Sequence, residues 1–265
     1  MRIGFIGCGN MAKAMMQGIL SSGLVEAGDV MASAKHGETL RKAEETLGIR
    51  TGSNREVVSF SDVLFLAVKP QFYADVMPDI RPGASAKDFP LLVSMAPGKT
   101  LEWLQDSLGG IDRIIRIMPN TPAMVGAGMT GVCAGAGVTQ QDLDTVQKIC
   151  GCFGRSAVVS EKQLDVVTGV SGSSPAYIFM VIEAMADAAV AEGMPRAAAY
   201  EFAAQAVLGS AKMVLETGLH PGQLKDMVCS PGGTTIEAVA VLEEMGLRSA
   251  MIEAVRACVH KAASM

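Results

Sequence analysis

Apolar runs and helical repeats alternate over the first 160 residues of this 265-residue chain, and only helical repeats follow. Arg2-Ile3-Gly4-Phe5-Ile6-Gly7 is a short apolar run, and the helical pattern behind it continues to Leu20. A second strand is predicted at Val30 to Ala34. A helix follows from Glu38 to Leu47, with Leu40, Ala43 and Leu47 at helical spacing. Gly48-Ile49-Arg50 reads as a brief third strand, and Ser53-Asn54 as the cap of a helix through Val58. Asp62 to Val68 is apolar without alternation, as expected of a strand buried on both faces of a parallel sheet. Strands are further expected at 91–95, 113–118, 129–134 and 157–159, and helices at 71–80, 101–108 and 140–151. This alternation predicts a doubly wound α/β domain over residues 1–160.

From Glu161 onward no strand pattern remains. Helices are predicted at 162–168, 174–193, 195–216, 221–228, 234–244 and 247–263. Gly193-Met194-Pro195 and Gly218-Leu219-His220-Pro221 mark the breaks. Residues 161–265 therefore read as an all-α domain. Its helices are apolar over more than one face, which predicts burial against a second copy of the chain.

Composition narrows the partners. Hydrophobic residues make up 49% and charged residues 18%, which excludes a disordered chain. The net charge is −5 and there is no Lys/Arg run, so nucleic acid is not an expected partner. The six cysteines form no Cys-x-x-Cys pair and the three histidines are scattered, so no metal site is expected. Free thiols suit a reducing compartment. The chain enters its first strand at once, so no signal peptide is expected. The apolar stretches 174–193 and 195–215 carry Glu183, Asp187, Glu192, Glu201 and Lys212, with Pro195 between them, so no membrane span is expected.

Candidate chemistry begins at the first turn. Gly7-x-Gly9-x-x-Ala12 between strand and helix has the spacing of a dinucleotide-binding turn. Gly7 would let the chain turn sharply, Gly9 would admit a pyrophosphate, and Ala12 would keep helix and strand close. Asn10 and Met11 open the helix whose free N–H groups would face the phosphates. The second strand ends Ala32-Ser33-Ala34-Lys35, with no carboxylate until Glu38. A hydroxyl and a cation there suit a 2′-phosphate, so NADPH is favoured and NADH is the alternative. Ala67-Val68-Lys69-Pro70, Met95-Ala96-Pro97-Gly98 and Met118-Pro119-Asn120-Thr121-Pro122 should wall the nicotinamide. Lys69 reads as an orienting charge rather than an acid. In the helical half, Ser230-Pro231-Gly232-Gly233-Thr234-Thr235 offers hydroxyls and N–H groups at a helix start. It fits a bound carboxylate and an ordinary capped helix equally well. Catalytic triads, paired carboxylates and Cys–His pairs are missing from the pattern, which suits hydride transfer.

The chain resembles the pyrroline-5-carboxylate reductase family. The matching segments are Ile6 to Ala12, Phe65 to Gln71, Met118 to Ala123 with Val125-Gly126, Ser171 to Tyr177, His220-Pro221 with Leu224 to Asp226, and Ser230 to Ile236. The last is the family's signature. The resemblance implies an N-terminal Rossmann-type domain followed by an all-α dimerisation domain, in dimers that often build a decamer of five dimers. It implies reduction of L-1-pyrroline-5-carboxylate to L-proline with NADPH or NADH; the free cysteines and the missing signal, rather than the resemblance, point to the cytoplasm. It places the substrate carboxylate on Ser230, Gly232, Gly233 and Thr234, and Thr235 by the ring nitrogen. It places Ser33 and Asn54 at the adenosine end of the cofactor, and Ala67, Lys69 and Pro70 near its nicotinamide side. Ser174 stands where the family usually has glycine, and Met95-Ala96-Pro97-Gly98 replaces a more usual Ala-Ala-Gly type. Two rival readings are a β-hydroxyacid dehydrogenase and a nucleotide-binding protein without catalysis. The first needs a lysine on the helix after its Ser/Gly-rich loop, and Ser171 to Glu183 contains none.

Overall fold

The apolar runs of the first half become the strands of one sheet in the computed structural model, which describes residues 1–84 and 89–264. The strands are β1 (Ile3–Ile6), β2 (Val30–Ser33), β3 (Arg50–Thr51), β4 (Val63–Leu66), β5 (Leu91–Ser94), β6 (Ile114–Met118), β7 (Gly128–Ala134) and β8 (Gly154–Val158). Their order across the sheet is β3-β2-β1-β4-β5-β6-β7-β8. Helices α1 (Asn10–Ser21), α2 (Gly37–Leu47), α3 (Asn54–Phe60), α4 (Tyr73–Ala84), α5 (Leu101–Ser107) and α6 (Gln140–Gly151) connect them.

The unbroken apolar runs are explained by burial on both faces. Odd and even residues of β1 and β4 go to different cores. Ile3, Phe5, Val63 and Phe65 pack with Met15, Met16 and Ile19 of α1 and with Val146 and Ile149 of α6. Ile6, Leu64 and Leu66 pack with Val57 of α3, Ile80 of α4 and Leu104 of α5. Phe5 and Phe65 stack with centroids 4.8 Å apart. Two-sided burial leaves no face for polar alternation.

Strand direction differs from the simple parallel expectation. β7 runs antiparallel to β6, and β8 is parallel to β7. The cause is the connection. Residues between β6 and β7 form only a 3₁₀ turn, Thr121–Val125, ended by Gly126 with φ +71. A link this short cannot carry a parallel crossover. β8 also begins at Gly154, earlier than expected. A Cβ on Gly154 would lie 2.0 Å from the Gly128 carbonyl oxygen, so this glycine lets the two reversed strands meet.

By packing, the chain forms two compact units: Met1–Ser173 together with the residues from Cys258, and Ser174–Ala257. The first unit therefore runs past residue 160. Helix α7 (Glu161–Val167) belongs to it because Leu164 is buried with Met118 and Cys133 of the sheet. Arg116, 5% exposed, meets Glu161 at 2.7 Å, and Glu161 also accepts from the Leu101 N–H. Ahead of the helix expected from residue 174, Thr168–Gly172 forms a π turn. The second unit holds α8 (Ser174–Ala191), α9 (Arg196–Thr217), α10 (Pro221–Val228), α11 (Thr234–Glu244) and most of α12 (Leu247–Ala263).

One ion pair anchors the reversed strands. Asp142 lies at the third position of α6 and closes a capping box with Thr139. Arg113, just ahead of β6, donates to both its carboxylate oxygens at 3.1 and 2.6 Å. The guanidinium holds the Asp142 carboxyl down at about 2, against an ordinary 3.8. A depressed carboxylate stabilises the fold above its unfolded pKa, and that contribution fades as pH falls toward about 2. Arg113 is partly exposed, so the pair is worth on the order of 1–2 kcal/mol at neutral pH. Asp142→Asn should lower urea-unfolding stability by that amount at pH 7 and flatten its fall between pH 5 and pH 3. An unchanged pH profile would remove the pair from the account.

Candidate dinucleotide cleft and carboxylate loop

The sheet order places β1 between β2 and β4, and the chain leaves it in opposite directions. A crevice opens there, at the carboxyl ends of the strands. Register aligns the rim: Ile6 pairs with Ser33 on one side and Leu66 on the other, and Leu66 pairs with Ser94. The residues just beyond, Gly7 to Gly9, Ala34 to His36 and Ala67 to Lys69, enclose a cleft of about 600 Å³. Asn54, Thr39, Phe72 and Asp75 complete its walls.

The two glycines of the first turn differ in kind. Gly7 has φ +103, and a Cβ there would lie 2.7 Å from the carbonyl carbon and oxygen of Ala67. Its N–H bonds the Ser33 carbonyl at 3.0 Å, and the Ala67 N–H bonds the Ile6 carbonyl at 2.8 Å. Gly7 is thus demanded by the protein itself. Gly9 caps α1 with φ −79 and ψ −176, a conformation open to any residue. A Cβ there would meet no described atom within 4 Å. Nothing in the fold requires that glycine. The space above it, at the N-terminus of α1, fits a phosphate pair approaching free N–H groups.

At the other end of the cleft the polar groups form a chain. Ser33 is 2% exposed, and its hydroxyl donates to Asn54 Oδ1 at 2.7 Å. Asn54 Nδ2 donates to Asp79 at 3.0 Å, and Asp79 pairs with Arg55 at 3.3 Å. Lys35 Nζ lies 5.9 Å from the centre of the Phe72 ring. Beneath the rim at the ends of β4 and β5, Tyr73 is 1% exposed. Its hydroxyl bonds the Leu66 carbonyl at 3.1 Å and the Ser94 hydroxyl at 3.0 Å, tying β4 to β5. Burial pushes this phenol up to about 12, so it keeps its proton and serves as a structural tie. Burial also raises the Cys8 thiol, against the nearby charge of Lys13, which makes it a poor nucleophile.

Of the sequence-predicted cofactor residues, Gly7, Gly9, Ser33, Lys35, Asn54, Ala67 and Lys69 come together in this cleft. Asn10, Met11, Ala12 and Pro70 are not among its walls. Asn10 and Met11 open α1, Ala12 is 1% exposed in the core under it, and Pro70 starts the 3₁₀ turn Pro70–Phe72. Val68 lines it too, as expected of the strand end, whereas Cys8, His36, Thr39, Phe72, Asp75 and Val76 were not anticipated as walls. His36 and Thr39 could have been found by extending the second-strand argument into the first turn of α2.

Ser230 to Thr235 lies in the second unit. The Gly233 N–H bonds the Ser230 carbonyl at 3.0 Å, and Gly232 has φ +66. A Cβ on Gly233 would sit 2.3 Å from Ser230 Oγ, so the missing side chain lets that hydroxyl lie against the start of α11. Thr234 and Thr235 are the first two residues of α11, which has no side-chain cap. Their N–H groups fall among the unpaired donors of the first helical turn. Upstream, His220 caps α10 by accepting from the Gly222 N–H at 3.0 Å.

The Ser171–Tyr177 motif crosses the unit boundary, with Ser171 to Ser173 in the first unit and Ser174 to Tyr177 in the second. Asn120 donates to the Ser171 carbonyl at 2.9 Å and accepts from the Met129 N–H at 2.8 Å. Ser174, at the glycine position, opens α8 without positive φ, so the replacement adds no backbone strain. Large apolar side chains stand exposed on the second unit, among them Phe179, Met180, Phe202 and Met227. The helical run Glu161–Ala191 is long and apolar enough to cross a membrane by length and composition alone. Among the described residues, no cluster of three His, Cys, Asp or Glu side chains could hold a metal ion.

Comparison with known proteins agrees along the whole chain. Residues 161–265 match a family model described as pyrroline-5-carboxylate reductase dimerisation. Residues 2–98 match one described as NADP oxidoreductase, coenzyme F420-dependent. The pyrroline-5-carboxylate reductase of Escherichia coli K12 is 54% identical over 98% of this chain and 96% of its own length. The solved reductase of Coxiella burnetii superposes with a TM-score of 0.91, at 36% identity over 98% of this chain and 97% of that one. A Plasmodium falciparum pyrroline carboxylate reductase, solved with NADP bound, gives 0.89 at 29% identity over 99% of this chain and 97% of that one. This full-length likeness, which spans both the cleft at the end of β1 and the loop ahead of α11, places the chain in the pyrroline-5-carboxylate reductase family.

Proposed function

We propose that this chain reduces L-1-pyrroline-5-carboxylate to L-proline, with NADPH or NADH bound along the cleft. The observation that carries the reading is the 54% identity over 98% of the chain, which spans both the cleft and the carboxylate loop. The reduced nicotinamide supplies the hydride to the C=N carbon. The chain's own work is binding and alignment. The turn at Ser230 to Gly233 and the first N–H groups of α11, including that of Thr234, hold the substrate carboxylate. The Thr235 hydroxyl hydrogen-bonds the ring nitrogen, which ends as the secondary amine. A protonated imine is already electrophilic, so no strong acid or base is needed. Gly9 and the opening of α1 at Asn10 and Met11 receive the pyrophosphate, with Ala12 keeping that helix close. Ala67, Lys69 and Pro70 shape the nicotinamide side.

The dimerisation match and the exposed apolar side chains of the helical unit support a homodimer. A ring of five such dimers is the larger assembly proposed. The six unpaired thiols support a cytoplasmic setting. The β-hydroxyacid dehydrogenase reading loses its support, since relatives 54% and 45% identical over 98% and 96% of the chain are pyrroline-5-carboxylate reductases.

An absorbance assay at the NADPH band, with pyrroline-5-carboxylate and a 3-hydroxy acid side by side, tests the reading directly. Turnover is expected with the imine alone, and turnover with the hydroxy acid alone would overturn it. Thr235→Ala removes one oriented hydrogen bond worth about 1–3 kcal/mol, so kcat/KM for the imine should fall roughly 5–150-fold. NADPH affinity should stay near normal, and full activity in this variant would end the role of Thr235. Gly9→Ser separates ligand space from fold. Serine is a good N-cap, so thermal stability should hold or rise slightly, while NADPH binding weakens by about tenfold or more. Unchanged NADPH affinity would show that the space above Gly9 is not used.

A further inference from the structure

Ser230 follows directly on Cys229, the C-cap residue of α10. The Cys229 N–H still bonds the Lys225 and Asp226 carbonyls, both at 3.2 Å, so the chain enters the loop from an intact last turn. Where the loop starts is therefore set by where α10 points. This helix has eight residues, Pro221–Val228, and only Leu224 among them is buried within the chain. A helix so short has little stability of its own. Its Lys225–Asp226 pair joins neighbours in sequence with Asp226 exposed, and such a pair adds little. What fixes α10 is its first turn.

That turn is held from both sides. Helix α9 stops at Thr217, where Gly218, with φ +66, donates its N–H to the Val214 carbonyl. The Leu219 N–H then bonds Thr217 Oγ1 at 3.2 Å. The next residue, His220, is the N-cap of α10. Its N–H donates to Gln223 Oε1 at 3.2 Å, and its Nδ1 accepts from the Gly222 N–H at 3.0 Å. Pro221 at the first helical position brings a preset φ and has no N–H to satisfy. Gly222 makes room for the ring. Its φ is not positive, yet a Cβ there would stand 3.0 Å from His220 Nδ1 and 3.4 Å from Cε1. A side chain at 222 would press the imidazole off the N–H that it caps.

Resting on the proposed reduction, we infer that His220 is a positioning residue for the substrate. By capping α10 it sets the place from which Ser230 to Thr235 receive the carboxylate. At about 1.5 Å per residue α10 spans about 12 Å, so a tilt of about 10° at its start moves the loop by about 2 Å. Without the cap, a fraction of the chains holds the loop out of place. The substrate binds the remainder, and its apparent affinity falls in proportion. Once bound it meets the same loop, so turnover at saturation is kept.

The test is steady-state kinetics of the full chain with NADPH and pyrroline-5-carboxylate, in a series at this one position. His220→Ala should raise KM for the imine roughly 2–30-fold, the range of a lost N-cap, with kcat within about twofold and NADPH affinity unchanged. His220→Asn supplies another cap acceptor and should return KM close to the wild-type value. His220→Gly should fall between them, since glycine is a fair N-cap and alanine a poor one. Loss of ring contacts alone would give a different order, with glycine at least as damaging as alanine and no rescue by asparagine. That order, or an unchanged KM in His220→Ala, overturns the inference. Should His220→Ala not fold, His220→Asn still decides, because a KM raised about tenfold there would leave the cap without a role. A wild-type chain that does not turn over the imine would overturn the proposed reduction itself, and this inference with it.

Discussion

Everything at the cleft depends on one close approach. Where β1 ends, the backbone at Gly7 passes so near the Ala67 carbonyl that a Cβ would sit 2.7 Å from it. That contact brings the residues after β1 and after β4 to the same rim. It also turns the chain sharply enough for α1 to start over the crevice. With the N-terminus of α1 fixed there, free N–H groups face the space above Gly9. The second strand closes the other side through the Gly7 N–H to the Ser33 carbonyl. Loss of this approach would misplace three walls at once.

The chemistry is divided between two kinds of local structure. The cleft is built from strand ends, whose positions follow from sheet register and two-sided burial. The loop proposed to hold the substrate carboxylate is built from a helix start, whose donors exist because the first turn of any helix leaves them unpaired. The buried titratable groups by the cleft are shifted away from reactivity. Tyr73 is pushed up to about 12, and the Cys8 thiol is raised by burial. This suits a reaction in which both partners arrive activated and the protein supplies alignment.

Much of the fold was legible because the two periods are clean. The run Asp62 to Val68 could only be a strand buried on both faces, and the repeats after residue 161 could only be helices. What escaped depended on geometry that no period encodes. The reversal of β7 against β6 follows from a nine-residue link, 119–127, too short for a crossover, and β8 joins β7 in parallel where Gly128 and Gly154 meet. The π turn at Thr168–Gly172 reads in sequence as a small polar loop. At the cleft, the glycine spacing pointed to Gly7 and Gly9 without separating their roles. Only the positive φ of one and the open space at the other do so. Ser33 and Asn54 were legible as residues, but the direction of the proton between them was not, because Asp79 imposes it from 25 positions beyond Asn54.

The helical unit poses the opposite problem. Its pattern was easy to read as helix and hard to read as surface. Helices α8 and α9 show little one-sidedness, and few of their residues are buried in the single chain. Phe179, Met180 and Phe202 are each more than 60% exposed. A soluble chain seldom leaves so many large apolar side chains in water. Length and composition alone would allow the run Glu161–Ala191 to cross a membrane. Yet α7 within that run carries Glu161 bonded to the buried Arg116, and Leu164 inside the core of the sheet. A segment so tied at its first turns to a globular core cannot lie in lipid there. The apolar surface beyond it is better satisfied by a second copy, the occupant that the dimerisation match describes.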